Sequence, residues 1–210
     1  MGNRRATAPL EKKARRQQML IAAERLFESW SYTDITMDRI ADQTGVAKGT
    51  LYLYFHSKEE LFLQLYEERL LEWYSELEAL ACLGSHTVAP AAAARVIATT
   101  LGAHPSLVRL HGVVHSTACT NIDLETTLVF RNRQRTGMES LGAALARRIN
   151  GLSEEHAIRF LVRLEALVGG LSWSAFPSST LVRAFEKQGI DVFHIDFEEE
   201  LREIITALLS

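Results

Sequence analysis

The chain is predicted to be all-α: an N-terminal three-helix unit carrying a helix-turn-helix, followed by a larger helical part. Three observations predict this. Apolar residues recur every three or four positions through most of the 210 residues, the spacing of amphipathic helices. Alternating β-branched runs bounded by turn pairs are missing. The stretch 36–61, TMDRIADQTGVAKGTLYLYFHSKEEL, reads as two short helices broken by a tight turn. In it Ile40, Ala41, Val46, Leu51 and Phe55 form the apolar set that two crossing helices bury against each other. Gly45 falls at the break, where a left-handed residue ends one helix. The other face of the second helix, 47–54, carries Lys48, Gly49, Thr50, Tyr52 and Tyr54. These can donate to phosphates and base edges or approach them closely, and such a unit places its second helix in a DNA major groove.

The elements follow in order. A first helix is expected over 10–30, with Leu20, Ala23, Phe27 and Trp30 as its apolar stripe. Thr36 is a suitable N-cap for the second, with Asp38 in its first turn. Ser57 with Glu60 three residues on makes a capping box for a long fourth helix to about 80. Phe62, Tyr66, Leu70, Trp73, Leu77 and Leu80 give that helix one buried face. Further helical segments are expected over 88–102, 105–118 and 122–150. Ser153 caps a helix to 175, Pro177 breaks it, a short segment spans 180–188, and an amphipathic helix with Leu201 and Ile205 follows.

The net charge of −3 is unevenly spread. Residues 1–16 carry +5, residues 1–60 carry +2, and residues 61–210 carry −5. Positive charge is thus concentrated in the arm that precedes the helix-turn-helix. This gives three expected regions: a basic, flexible arm over 1–14, a DNA-binding unit over 15–60, and a mildly acidic helical part over 61–210 with a different task. Cys82 and Cys119 have no paired spacing, which points to a reducing cytoplasm. The first 16 residues lack the apolar core of a signal peptide. The small-apolar run over 91–103 falls short of the ~20 residues a membrane span needs.

The string LIAAERLFESWSYTDITMDRIADQTGVAKGTLYLYFHSKEEL resembles the N-terminal domain of TetR-family transcriptional regulators. The resemblance covers about residues 15–65. It rests on Ala22-Ala23, Leu26-Phe27, Ile40-Ala41, Gly45-Val46, Lys48 to Tyr52, Tyr54-Phe55, Ser57-Lys58 and Glu60-Leu61 at fixed spacing. The resemblance implies that Thr36, Lys48, Tyr52, Tyr54 and Lys58 meet the DNA backbone, and that Ala47, Gly49, Thr50 and Leu53 come within reach of bases. It also implies a homodimer on a palindromic double-stranded operator, controlled by a small-molecule effector, most simply as a repressor. Two positions depart from the family pattern. Ser31 stands where glycine is usual, implying a left-handed serine at a cost of about 1 kcal/mol. Ile35 replaces a common threonine and removes a polar contact. The recognition helix has no Arg, Asn or Gln, so bidentate base reading falls to Arg39 or the basic arm.

In the larger part, Trp73, Leu77, His111, His115, Phe130 and Trp173 are candidates to line a pocket for an apolar or aromatic effector. Core or interface packing is the simpler role for the aromatic ones. His111, His115 and Cys119 recur every four residues, as metal ligands on a helix do, with His104 or Glu125 to complete a set. A metal-sensing regulator is therefore one alternative, an effector-free DNA-organising protein another. Leu164, Leu167, Val168, Gly169, Gly170 and Leu171, with Leu201 and Ile205, are candidates for the dimer interface, the glycine pair allowing close helix approach. The acidic runs Glu67-Glu68, Glu154-Glu155 and Glu198 to Glu200 read as solvated faces and helix-start charges. No GxSxG, HExxH, GxGxxG or phosphate loop is present, so neither an enzyme nor a bound cofactor is expected.

Overall fold

A computed structural model describes residues 4–116, 122–177, 179–190 and 195–210. Among the described residues ten α-helices run in order: α1 Arg4–Ser29, α2 Met37–Thr44, α3 Lys48–Tyr52, α4 Lys58–Cys82 and α5 Pro90–Gly102. Then come α6 Pro105–Ser116, α7 Leu124–Arg148, α8 Glu154–Ala175, α9 Ser179–Gln188 and α10 Phe197–Leu209. A 3₁₀ turn, Tyr32–Asp34, joins α1 to α2. Among the described residues there is no strand, only a parallel bridge between Val88 and Ile149 that ties the α4–α5 connection to the end of α7.

The helix ends follow from side-chain chemistry. Thr36, Ser57 and Ser153 each accept a backbone N–H three residues on, relieving one of the orphan donors of a helix start. The box at α4 closes one residue early: Glu60 accepts from the N–H of His56, 2.6 Å away, not from that of Ser57. Gly45 ends α2 at φ 68°, a conformation glycine adopts without steric cost. Ser31 corrects the sequence reading: it is extended (φ −68°, ψ 150°), and its hydroxyl bonds Asp34 at 2.6 Å. Extended backbone at the N-cap position of the 3₁₀ turn removes any need for a left-handed residue there. Helix α1 reaches back to Arg4, into the segment expected as a flexible arm. Apart from Pro9 that segment is mostly residues of good helix propensity.

Helix α4 is the axis of the molecule. Ten of its residues are buried, on more than one face, because α1, α5, α6 and α7 surround it. This changes two sequence readings. Trp73 is 2% exposed, with its indole N–H on Thr100 Oγ1 at 3.3 Å, so it packs in the core. Glu67, read as solvated, is 6% exposed. The runs at Glu154-Glu155 and Glu198 to Glu200 are exposed in the first turns of α8 and α10.

Helix α10 packs on α5 and α8, and Leu201 and Ile205 are fully buried within the chain. Leu164 and Val168 of α8 are likewise core residues. These four are used by the chain's own packing and are not free for a partner. Leu167 and Leu171 are half-buried. The tight approach expected of the glycine pair occurs inside the chain: a Cβ on Gly169 would stand 3.1 Å from His111 of α6, whereas one on Gly170 would meet nothing. Among the described residues no helix is long and apolar enough to cross a membrane.

Candidate nucleic-acid interface and effector cavity

Helices α2 and α3 are held against α1 by Ile35, Ile40, Leu51 and Phe55, each fully buried. Ile35 thus fills the core where a threonine would offer a polar contact. With the apolar side anchored, Thr36, Ala47, Lys48, Gly49, Tyr52 and Leu53 lie exposed, and Thr50, Tyr54 and Lys58 half-buried. Leu53 is 78% exposed, a large apolar side chain that the chain's own packing does not use.

The cations on this surface differ. Lys48 Nζ rests 2.7 Å from Asp38, both side chains exposed, and that hydrogen bond raises its pKa. The pair is worth little in water and can open to a phosphate. Lys58 instead donates to the carbonyls of Tyr32 and Ile35 at 2.9 and 3.0 Å and lies over the Tyr32 ring. Burial lowers its pKa. Lys58 therefore ties the 3₁₀ turn to α4 and keeps one of its three N–H donors for a phosphate. Arg39 stacks on Trp30, its guanidinium 4.0 Å from the ring centroid. That stacking is a role the sequence did not disclose.

Gly49 has room around it: a Cβ there would meet nothing within 4 Å. Packing does not demand glycine, so Gly49→Ala is expected to stabilise the fold by up to ~1 kcal/mol through helix propensity. The same methyl group narrows the gap to the DNA, and operator affinity is expected to fall about tenfold or more. Thermal unfolding and DNA titration of one variant check both signs; a stabilised variant with undiminished affinity contradicts close approach at this residue.

The unit is bolted to the rest of the chain by polar contacts. Glu24 of α1 receives two hydrogen bonds from Arg69 of α4, at 2.8 and 2.7 Å, and one from Ser106 of α6 at 3.1 Å. Arg16 and Gln17 of α1 both donate to Glu68 of α4. Arg109 of α6 lies over the Phe27 ring. These contacts join α1 to both α4 and α6.

The expected pocket residues do not converge. Phe130 forms part of the wall of an open cavity of about 750 Å³, together with Arg16, Leu63, Glu67, Asp123 and Arg133. This cavity lies between α1, the α3–α4 connection, α4 and the start of α7. His111 and Trp173 border a separate cleft of about 490 Å³ on α8. Leu77 reaches only a small apolar cleft of about 180 Å³. The charged wall of the large cavity was not foreseen, although Glu67 sits at helical spacing from the buried Leu63, Leu70 and Tyr74, which is the signal that could have found it.

Behind the α8 cleft lies a polar network. Tyr66 Oη and His111 Nδ1 are 2.7 Å apart. Glu165 accepts from Tyr74 and, at 2.7 Å, from Gln134, which in turn accepts from Arg131. Burial holds the Glu165 carboxyl above its ordinary value of 4.5, outweighing those hydrogen bonds. A carboxyl raised on folding favours the fold while protonated; that contribution is present below pH 4.5 and is lost as pH rises through the raised value. Glu165→Gln is therefore expected to gain stability relative to the parent from pH 4.5 to neutrality. Denaturant midpoints across that range check it, and parallel profiles contradict it.

Of the proposed metal set, only His111 is described with its side chain. The side chain of His115 and all of Cys119 lie outside the described residues. His104 pairs with Glu76 at 2.7 Å, and Glu125 lines the large cavity. Among the described residues no group of three His, Cys, Asp or Glu is placed to hold a metal ion.

A short exposed helix held by buried apolar residues and flanked by lysine and tyrosine defines a helix-turn-helix DNA-binding protein. The chain belongs to the tetR family of bacterial regulatory proteins: the family model of that description matches residues 20–65, and the model described as the tetracyclin repressor-like C-terminal domain matches residues 67–210. It is a TetR-family transcriptional regulator. The chain is 44% identical over 69 residues to the HTH-type transcriptional activator FasR of Mycolicibacterium smegmatis. It is 32% identical over 68 residues to the fatty acid metabolism regulator protein of Bacillus subtilis. These matches cover 33% and 32% of this chain, and it spans only about a third of the length of the relatives, 31% and 35%. Among solved structures, a TetR regulator from Rhodococcus sp. RHA1 aligns with TM-score 0.59 at 20% identity, covering 95% of this chain and 97% of that one. Bacillus subtilis FadR in complex with stearoyl-CoA aligns with TM-score 0.52 at 19% identity, covering 92% and 96%.

Proposed function

We propose that the chain is a repressor that binds a palindromic operator as a homodimer and is released by a small-molecule effector, with residues 15–60 reading DNA and 61–210 binding the effector and the second copy. The observation that carries this reading is the direct joining of the DNA-binding unit to α4. Only five residues separate the end of α3 from Lys58 at the start of α4, and Glu24, Arg69 and Ser106 clamp α1 to α4 and α6. A ligand in the α4–α7 cavity touches Arg16 of α1 and residues of α4 at once. If it favours a different tilt of α4, the spacing of two recognition helices departs from the ~34–36 Å of one DNA turn. A full swing from bound to released needs ~5.5 kcal/mol of discrimination between the states. That Bacillus subtilis FadR, of the same fold, holds stearoyl-CoA supports an effector in the helical part.

The dimer reading moves one face around α8 from the leucines expected. Val162 is 54% and Trp173 70% exposed, and with the exposed Ala166 and Gly170 they share a stripe at helical spacing. Large apolar groups in such a stripe mark a protein interface. Val162→Asp with Trp173→Ala is expected to give a monomer by sedimentation that folds but loses specific operator binding. A variant that stays dimeric, or binds the operator as a monomer, contradicts this assignment.

A further inference from the structure

The wall of the α4–α7 cavity holds an unusual pair of charges. Glu67 is fixed: its side chain is 8% exposed on the buried side of α4, and burial pushes its carboxyl above the ordinary range. Its partner is not fixed. Arg133 reaches from α7 with a side chain 60% exposed, and its Nη1 meets the two carboxylate oxygens at 3.4 and 3.3 Å. Charge-assisted N–H···O contacts in a firm pair run shorter, about 2.7–2.9 Å. A guanidinium held this loosely can swing into solvent at little cost, whereas the carboxylate cannot leave. The other charged groups of the wall are engaged or exposed. Arg16 is held by Gln64 and Glu68, Asp123 caps α7 through Thr126, and Glu125 is exposed. Leu63, Val129 and Phe130 supply an apolar surface beside Glu67.

We propose that this cavity binds an organic cation with an apolar body, whose ammonium replaces Arg133 as the counter-ion of Glu67. The apolar body lies on Leu63, Val129 and Phe130. The exchange leaves Glu67 paired throughout, which is what a buried carboxylate requires. It also frees Arg133 from α4, so the tie between α4 and α7 changes on binding. The inference deepens the effector reading above and rests on it only for the consequence at DNA, not for the binding itself.

The test is calorimetric titration of the full chain at pH 8 with 4-phenylbutylammonium and, as the same body with opposite charge, 4-phenylbutyrate. The ammonium is expected to bind at least about tenfold more tightly, the difference one charge-assisted hydrogen bond makes. Glu67→Gln is expected to lose about tenfold or more of that affinity, and Arg133→Ala, which removes the internal competitor, to gain severalfold. Preference for the butyrate, indifference to Glu67→Gln, or weakened binding in Arg133→Ala overturns the proposal. The comparison of the two probes on the unaltered chain stands even if a variant misfolds. Operator release by the ammonium is read separately, by fluorescence anisotropy. Binding without release retains the cation site and overturns the effector reading.

Discussion

Replacing Lys48 and Tyr52 together by alanine is expected to lower operator affinity about a thousandfold while leaving the fold intact. Both side chains are exposed, Tyr52 41% as a residue and the Lys48 side chain 54%, and neither belongs to the core. Each contributes a donor to a phosphate, worth ~1 kcal/mol or more, and a dimer presents each twice. Four such contacts sum to ~4 kcal/mol, about three decades in affinity. The Asp38 pairing that Lys48 gives up on binding is exposed and worth little in water. Loss of the lysine also flattens the salt dependence, by ~0.9 in log–log slope for each phosphate contact removed. Anisotropy titrations at several salt concentrations measure affinity and slope together. A variant that binds within threefold of the parent contradicts the placement of α3 on DNA.

The second large effect concerns the joint between the DNA-binding unit and α4. Phe62 is fully buried in the first turns of α4, edge-on to Phe27 of α1 at 5.7 Å and to Tyr32 of the 3₁₀ turn at 5.0 Å. Phe62→Ala removes the transfer energy of the ring, opens a cavity and loses two aromatic contacts, for an expected ~3–5 kcal/mol of stability. That is a large fraction of the 5–15 kcal/mol typical of a folded protein. Because the ring joins three elements, the variant is also expected to loosen the unit from α4 and blunt operator release by effector. Chemical denaturation gives the stability change. A loss below ~1.5 kcal/mol would mean that the site collapses around the gap and that the ring does not key the joint.

The N-terminal unit was legible because short helices leave their sequence little freedom. Ile40, Leu51 and Phe55 must all be buried for α2 and α3 to hold, and Gly45 is the residue that turns between them without strain. The charged residues there were less legible. Lys58 looks like any exposed lysine until the carbonyls of Tyr32 and Ile35 are brought beneath it, 26 and 23 residues away in the chain. Ser31 illustrates the same limit, since an extended cap and a left-handed turn residue are alike in sequence.

In the larger part, periodicity located the helices but not their neighbours. The stripe of α8 containing Leu164 and Val168 is apolar because α6 and α7 cover it within one chain; the exposed stripe one face around is set out only when those helices are in place. Trp73 and Trp173 are equivalent as sequence, yet one is 2% and the other 70% exposed. Glu67 was misread for a related reason. A helix enclosed on several sides buries residues off its main stripe, and a carboxylate there signals a site.

If α3 reads a two-fold operator, selection from a randomised duplex library at moderate salt will reveal it. The parent protein is expected to enrich a palindrome, with half-sites spaced to suit two copies of the chain, and the Lys48→Ala, Tyr52→Ala variant to enrich none. Enrichment of no sequence by the parent, or the same palindrome by the variant, would contradict it.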